Sequence, residues 1–166
     1  QAGSNMDFYT IHLYDFEDSQ NIYRKGSNLE AVMDLIEHYS QLRLGAPRPF
    51  VVSEYGGRAR DLENGPWSAW RDWKTVKSLS AMTLSFMDRP NLIGKVIPFI
   101  ICKAEWGRGT YPYPWRLMRQ ANEPASSSGT WVYTEMVKYY QLWSNVRGTR
   151  VDAIADDPDI QTDAYV

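Results

Sequence analysis

Short apolar runs alternate along this chain with longer stretches in which apolar residues recur every three or four positions. Phe8–Tyr14 is a β-rich run that gives way to a polar turn from Asp15 to Gly26. Leu29, Val32, Met33, Ile36 and Tyr39 then recur at helical spacing, with Asp34, Glu37 and the surface-type His38 off that stripe. Ser27 and Glu30 have the spacing of a capping box, the hydroxyl bonding the exposed amide near Glu30 while Glu30 reaches back. Gly45 and Pro47 end the helix. Pro49 opens the next run, in which Phe50–Val52 predicts a strand covered on both faces. Glu54 then falls at the strand's C-terminal end, where α/β sheets place their ligands.

After Gly57 comes a polar loop from Arg58 to Pro66. Trp67, Trp70, Trp73, Val76, Leu79, Met82 and Phe86 mark a long helix closed by Asp88 and Pro90, and tryptophans three apart on it read as core packing. Gly94–Trp106 carries the next strand. Proline cannot donate to a ladder, so Pro98 places the paired portion mainly from Phe99 onward. Gly107–Ser128 is too long for a plain connection, and Tyr111, Tyr113, Trp115 and Arg116 make it an ordered binding loop. Thr130 caps a last helix carrying Trp131, Met136, Val137, Tyr140 and Trp143, which Gly148 stops. From Arg150 the chain turns Asp-rich and turn-rich, as at the start of an all-β module. Three strands each followed by a helix predict a parallel sheet with helical crossovers. A Rossmann-like sheet shares that order, but no Gly-rich phosphate turn follows any strand.

Composition narrows the function classes. The 166 residues suffice for one domain with a real core. Lys plus Arg is 18 against 20 for Asp plus Glu, with no basic block, which disfavours a nucleic-acid partner. Aromatic residues reach 14%, including 7 Trp and 11 Tyr, which suits a dense core or a surface that stacks on sugars. The single Cys102 excludes an internal disulfide and reads as a small buried hydrophobe. His12 and His38 are too far apart in sequence to found a zinc site, so no metal and no cofactor is expected. No apolar run is long enough for a membrane span. Strand-like runs at both ends, Phe8–Tyr14 and Gln161–Val166, suggest an internal piece of a longer polypeptide.

Three strand ends carry polar groups that can converge on one rim: His12 with Tyr14, Glu54 with Tyr55, and Lys103 with Glu105 and Trp106. His12 and Tyr14 are two apart on a strand and so point to the same side. A hydroxyl or imidazole N–H donated to Glu54 would keep the carboxylate ionised and oriented. That is the state in which a retaining glycosidase uses its nucleophile, with Trp106 as a flat floor beneath the sugar. Each residue also has a plainer reading: a satisfied His12, a Tyr14 straddling core and solvent, a Glu105 paired with Lys103 or an arginine. Ser53 alternates away from Glu54 and lacks a glycine-flanked elbow, and Cys102 has no evident base.

At these residues the chain resembles the C-terminal part of the catalytic barrel of glycoside hydrolase family 86, the β-agarases and β-porphyranases. The matching pieces are Phe8–Tyr14, Val52–Gly56, Pro98–Gly107, Tyr113–Arg116, Trp131–Trp143 and Gly148–Asp152, in family order along nearly the whole chain. The resemblance implies an α/β fold, a partial (β/α)8 TIM barrel. Phe8–Tyr14, Pro49–Ser53 and Val96–Lys103 would be its sixth, seventh and eighth strands, over residues 1–148. Residues 149–166 would begin an accessory β-sandwich module. It implies Glu54 as nucleophile of a retaining mechanism, His12 and Tyr14 as its catalytic neighbours, and Glu105, Trp106, Arg58, Trp115 and Arg116 as substrate contacts. The implied substrate is a β-1,4-linked galactan, agarose or porphyran, and the implied location is secreted or cell-envelope.

Double displacement also needs a second carboxyl about 5 to 5.5 Å from the nucleophile, which the resemblance places upstream of Gln1. Asp7 precedes its strand, at the opposite face, and Glu17 and Glu63 lie in loops. The isolated 166 residues are therefore expected to be inactive, and open sheet edges should make them aggregate. Arg58, Arg108 and Arg116 are the candidates for reading a sulfate that would separate porphyran from agarose. A non-catalytic carbohydrate-binding module and a purely structural α/β domain are the alternatives.

Overall fold

The computed structural model describes residues 3–16, 23–157, 159–160 and 162–166. After a 3-10 turn at Gly3–Asn5 come β1 (Tyr9–Phe16), α1 (Ser27–Leu44), β2 (Phe50–Arg58), the short α2 (Arg60–Glu63), α3 (Ala69–Met87) and β3 (Ile93–Pro98). The strands β1, β2 and β3 form a parallel sheet in that order, with β2 central. This is an α/β unit of parallel strands and crossover helices, like part of a larger (β/α)8 barrel; among the described residues the sheet does not close into a barrel.

One side of the sheet is buried against α1 and α3. Leu13, Val52 and Tyr55 from the strands meet Leu29 and Met33 of α1 and Leu79, Met82 and Phe86 of α3. Val52 and Tyr55 are three residues apart yet both lie in this core, which strict strand alternation forbids. The register explains it. Ile11 pairs with Val52 but His12 pairs with Glu54, leaving Ser53 as an extra residue on β2. That bulge turns Tyr55 inward and hands the opposite side to Glu54.

The helix stripes differ from the sequence expectation in instructive ways. The capping box at Ser27 does not form: Gly26 is the N-cap residue, and Glu30 instead accepts from the Ser85 hydroxyl at 3.2 Å. Tyr39 is exposed beneath the Arg43 guanidinium, and Ser40 takes the inward position. On α3 the tryptophans are not core: Trp70 and Trp73 are 57% and 47% exposed and stack on each other at 4.9 Å. The reason is the closeness of α3 to β2. A Cβ on Gly57 would lie 2.5 Å from Ser78 Cβ, so small residues and hydroxyls (Thr75, Ser78, Thr83) share the inner stripe with Leu79, Met82 and Phe86.

Pairing of β3 ends at Pro98, where a portion beginning at Phe99 was expected. At the final strand position the missing N–H costs nothing, and Phe99 N–H makes the last bond, to Tyr55 O at 2.8 Å. Cys102, beyond the pairing, is exposed and not buried. The 107–128 segment is ordered, forming the hairpin β4 (Gly107–Arg108) and β5 (Tyr111–Pro112) and then β6 (Met118–Gln120). Trp131–Tyr133, expected to be helical, is β7 and pairs antiparallel with β6, as suits a Trp-Val-Tyr run. Helix α4 spans only Val137–Trp143, with the Thr134 hydroxyl accepting from Met136 N–H at its entrance. The tail forms the hairpin β8 (Arg150–Val151) and β9 (Ala164–Tyr165), tied to the end of α3 by Arg150, which bonds Asp163 and Asp88. Glu17 lies outside the described residues.

Candidate active site

Leu13 and Asp15 of β1 are buried on the helix side, Asp15 accepting from Ser78 Oγ at 2.7 Å. Alternation therefore sends His12 and Tyr14 to the other side. The Ser53 bulge sends Glu54 there too, and the three side chains meet. His12 Nδ1 lies 3.1 Å from Glu54 Oε2, and the Tyr14 hydroxyl hydrogen-bonds the same carboxylate. The tyrosine ring lies against Gly56, where a Cβ would approach Tyr14 Cε1 to 3.1 Å. Burial above all, then the hydrogen bond to Glu54 and that carboxylate's charge, raise the Tyr14 pKa well above its ordinary value. The phenol therefore stays protonated and serves as a donor. Glu54 itself sits inside β2 and not at its end, since pairing continues to Arg58 opposite Phe16.

A line of aromatic rings runs from this carboxylate. Tyr14 meets Phe99 edge-on at 6.3 Å, Phe99 meets Tyr113 at 6.2 Å, and Tyr113 lies 4.4 Å from Trp106. Trp106 is 58% exposed, so one ring at the end of this line is open to a ligand. Glu105 is also exposed, beside a cleft of about 240 Å³ that it lines with Trp131, Gln120 and Arg116.

The remaining residues singled out from sequence are differently placed. Trp115 is buried, donating its indole N–H to Gly57 O at 3.1 Å. Arg116 is buried in a two-pronged pair with Glu123. Arg58 gives Nε and Nη2 to Glu63, each at 2.8 Å, and Arg108 Nη1 reaches the same carboxylate at 2.8 Å. Glu63 is thus a buried helical residue, where a loop position was expected. Sequence reasoning left Phe99 in a strand and Tyr113 in a loop, and it did not foresee the Glu63 pairing. The alternation Tyr111, Tyr113, Trp115 was the available signal for a ring set facing one way. Nothing local announced Glu63, whose partners lie 5 and 45 residues away.

The open side of the parallel sheet thus holds a carboxylate in contact with a histidine and a tyrosine, with a line of rings leading from it to an exposed tryptophan. No family model matches the chain. It is 52% identical over 170 residues to a funoran endo-β-hydrolase from Wenyingzhuangia aestuarii, covering 99% of this chain and 23% of that protein. It is also 52% identical over 169 residues to a β-agarase from Pseudoalteromonas atlantica, covering 99% of this chain and 33% of the relative. The crystal structure of BuGH86 in complex with neoagarooctaose superposes with a TM-score of 0.93 at 48% identity, over 99% of this chain and 27% of that one. In sequence and in backbone, the chain matches agarases and porphyranases of glycoside hydrolase family 86 over a segment of their length. It spans about a quarter to a third of these relatives.

Proposed function

We propose that this chain is the C-terminal part of the catalytic (β/α)8 barrel of a secreted retaining endo-glycosidase that cleaves β-1,4 linkages of a galactan, with Glu54 as nucleophile. In this reading β1, β2 and β3 are the sixth, seventh and eighth strands, and residues 149–166 begin an accessory β module. The observation that carries it is the bracing of Glu54 by His12 and Tyr14 on the open sheet face. A carboxylate nucleophile must keep one rotamer, and the Tyr14 hydroxyl and the His12 ring on the neighbouring strand restrict Glu54 to one. Among the described residues no helix is long and apolar enough to cross a membrane.

The chemistry divides between this chain and residues outside it. A Glu54 oxygen attacks the anomeric carbon while the glycosidic C–O bond breaks, and the departing oxygen takes its proton from a second carboxylic acid. That acid then acts as base, taking a proton from the water that releases the glycosyl ester. His12 and Tyr14 hold Glu54 throughout, and Trp106 lies under a bound sugar. Neutral agarose and sulfated porphyran share the galactose backbone this site would grip.

The test places residues 1–166 in the matching quarter of the Wenyingzhuangia aestuarii hydrolase, so that the other barrel strands are present. Glu54→Gln in this chimera should lower kcat by roughly 10³-fold or more while retaining oligosaccharide affinity. Turnover preserved in Glu54→Gln would remove Glu54 from the nucleophile role.

A further inference from the structure

Glu63 is nearly sealed from solvent, and its hydrogen bonds run to Arg58 and Arg108. Its two oxygens carry two guanidiniums from separate parts of the chain, Arg58 at the end of β2 and Arg108 in β4. Both guanidiniums lie over the Trp115 ring, at 5.1 and 4.7 Å from its centroid. Arg58 also covers Phe16 at the end of β1. Arg108 lies 5.5 Å from the Tyr113 ring centroid and hydrogen-bonds the Tyr113 hydroxyl. Tyr113 feels the charge of Glu54, and Tyr14 feels that of Arg58, so this cluster and the nucleophile share one electrostatic neighbourhood.

We propose that Glu63 is a positioning residue for the Glu54 site, clamping Arg58 and Arg108 onto Trp115 and so fixing Tyr113 and Trp106 relative to the nucleophile. The inference rests on the reading of Glu54 given above. Arg58 is four residues beyond Glu54 on the same strand, and Arg108 is two beyond Trp106. One carboxylate therefore ties the strand that bears the nucleophile to the loop that bears the exposed ring. A carboxylate is needed because each arginine alone would carry an uncompensated, partly buried charge beside the other. A displacement of about 1 Å in such a constellation can cost on the order of 10²-fold in rate.

In the chimera described above, Glu63→Gln should lower kcat by roughly 10- to 100-fold, and by more than KM rises. Arg108→Ala, at a more exposed position, should lower kcat similarly. The double variant should lose little beyond the larger single loss, because both act through one clamp. Full kcat in the folded Glu63→Gln protein, or single effects that multiply in the double, would overturn the proposal. Should Glu63→Gln fail to fold, Arg108→Ala decides alone: unchanged kcat overturns the clamp, and a drop of about tenfold supports it. Glu54→Gln in the same background keeps the two readings apart. If it retains turnover, the nucleophile assignment falls; if it is dead while Glu63→Gln runs at full speed, only the clamp falls.

Discussion

His12 Nδ1 stands 3.1 Å from Glu54 Oε2, with the imidazole side chain 61% exposed and the carboxylate side chain 25% exposed. Tyr14 holds the same carboxylate from a more buried position. A donor shielded from water contributes more than one that competes with it. Tyr14→Phe is therefore expected to lower kcat of the chimera by about 10²-fold, the scale for removing one buried donor at a reacting centre. His12→Ala should cost about tenfold or less on the same scale. Steady-state kinetics of the two variants checks the order, and a reversed order would mean that the imidazole is the principal brace.

Gly57 is the point of closest approach between β2 and α3. A Cβ there would meet Ser78 Cβ at 2.5 Å and the Thr75 carbonyl oxygen at 3.1 Å, and neither can withdraw without moving α3. Gly57→Ala should lower stability by about 1–3 kcal/mol, the range for overpacking a filled contact. Ser78→Gly added to Gly57→Ala should recover part of that loss, though it frees Asp15 of its hydroxyl donor. Thermal denaturation of both variants in the chimera reads the effect.

The order of β1, α1, β2, α3 and β3 was legible because those apolar runs kept their period long enough to be read, whereas Trp131–Tyr133 is too short to show one and its strand pairing was not. The convergence of His12, Tyr14 and Glu54 was legible for the same reason on β1, where two residues apart means one side. On β2 it came out for a different reason from alternation, since the extra residue at Ser53 is a property of pairing and leaves no local mark. The inner stripe of α3 was misjudged because hydrophobicity favours tryptophan, whereas the space beside Gly57 admits only a small side chain. Pro98 misled in the opposite direction: its missing donor marks where pairing stops, and the strand lies before it. Glu63 and Arg116 could not be read at all, because an ion pair across the fold depends on partners that no periodicity predicts.

Arg116 pairs with Glu123, which also accepts from Gln120 N–H at 3.0 Å. Burial pushes the Glu123 pKa up, but the Arg116 hydrogen bond and the Gln120 amide outweigh it and hold the group below its ordinary value. Breaking a buried pair at one partner costs about 3–5 kcal/mol. Arg116→Ala should accordingly reduce stability by that order, and Arg116→Met with Glu123→Leu should recover most of it. If Arg116 served chiefly as a substrate contact, Arg116→Ala would instead raise KM with the melting temperature unchanged. Calorimetry and oligosaccharide kinetics on one preparation distinguish the two.

Asp72 lies fully buried on α3, accepting from Trp67 Nε1 at 2.9 Å and from Glu135 N–H at 3.1 Å. Burial pushes its pKa up to about 6, and the Trp67 hydrogen bond, the Arg71 charge and the Glu135 amide offset only part of that. A group that binds its proton more tightly folded than unfolded stabilises the fold most when protonated. Its contribution is therefore full below about pH 4, the unfolded value, and is lost as pH rises through the folded one. At about 1.4 kcal/mol per unit, the loss is on the order of 2–3 kcal/mol between about pH 4 and 6. Asp72→Asn keeps an oxygen for both donors and removes the titration, so its melting temperature relative to the unmodified chimera should climb over that interval and level off above it. Taking the difference cancels the other carboxylates, which titrate in both proteins. A flat difference from pH 4 to 7 would show that Asp72 is ionised in the fold throughout, with the neighbouring Arg71 guanidinium outweighing the cost of burial.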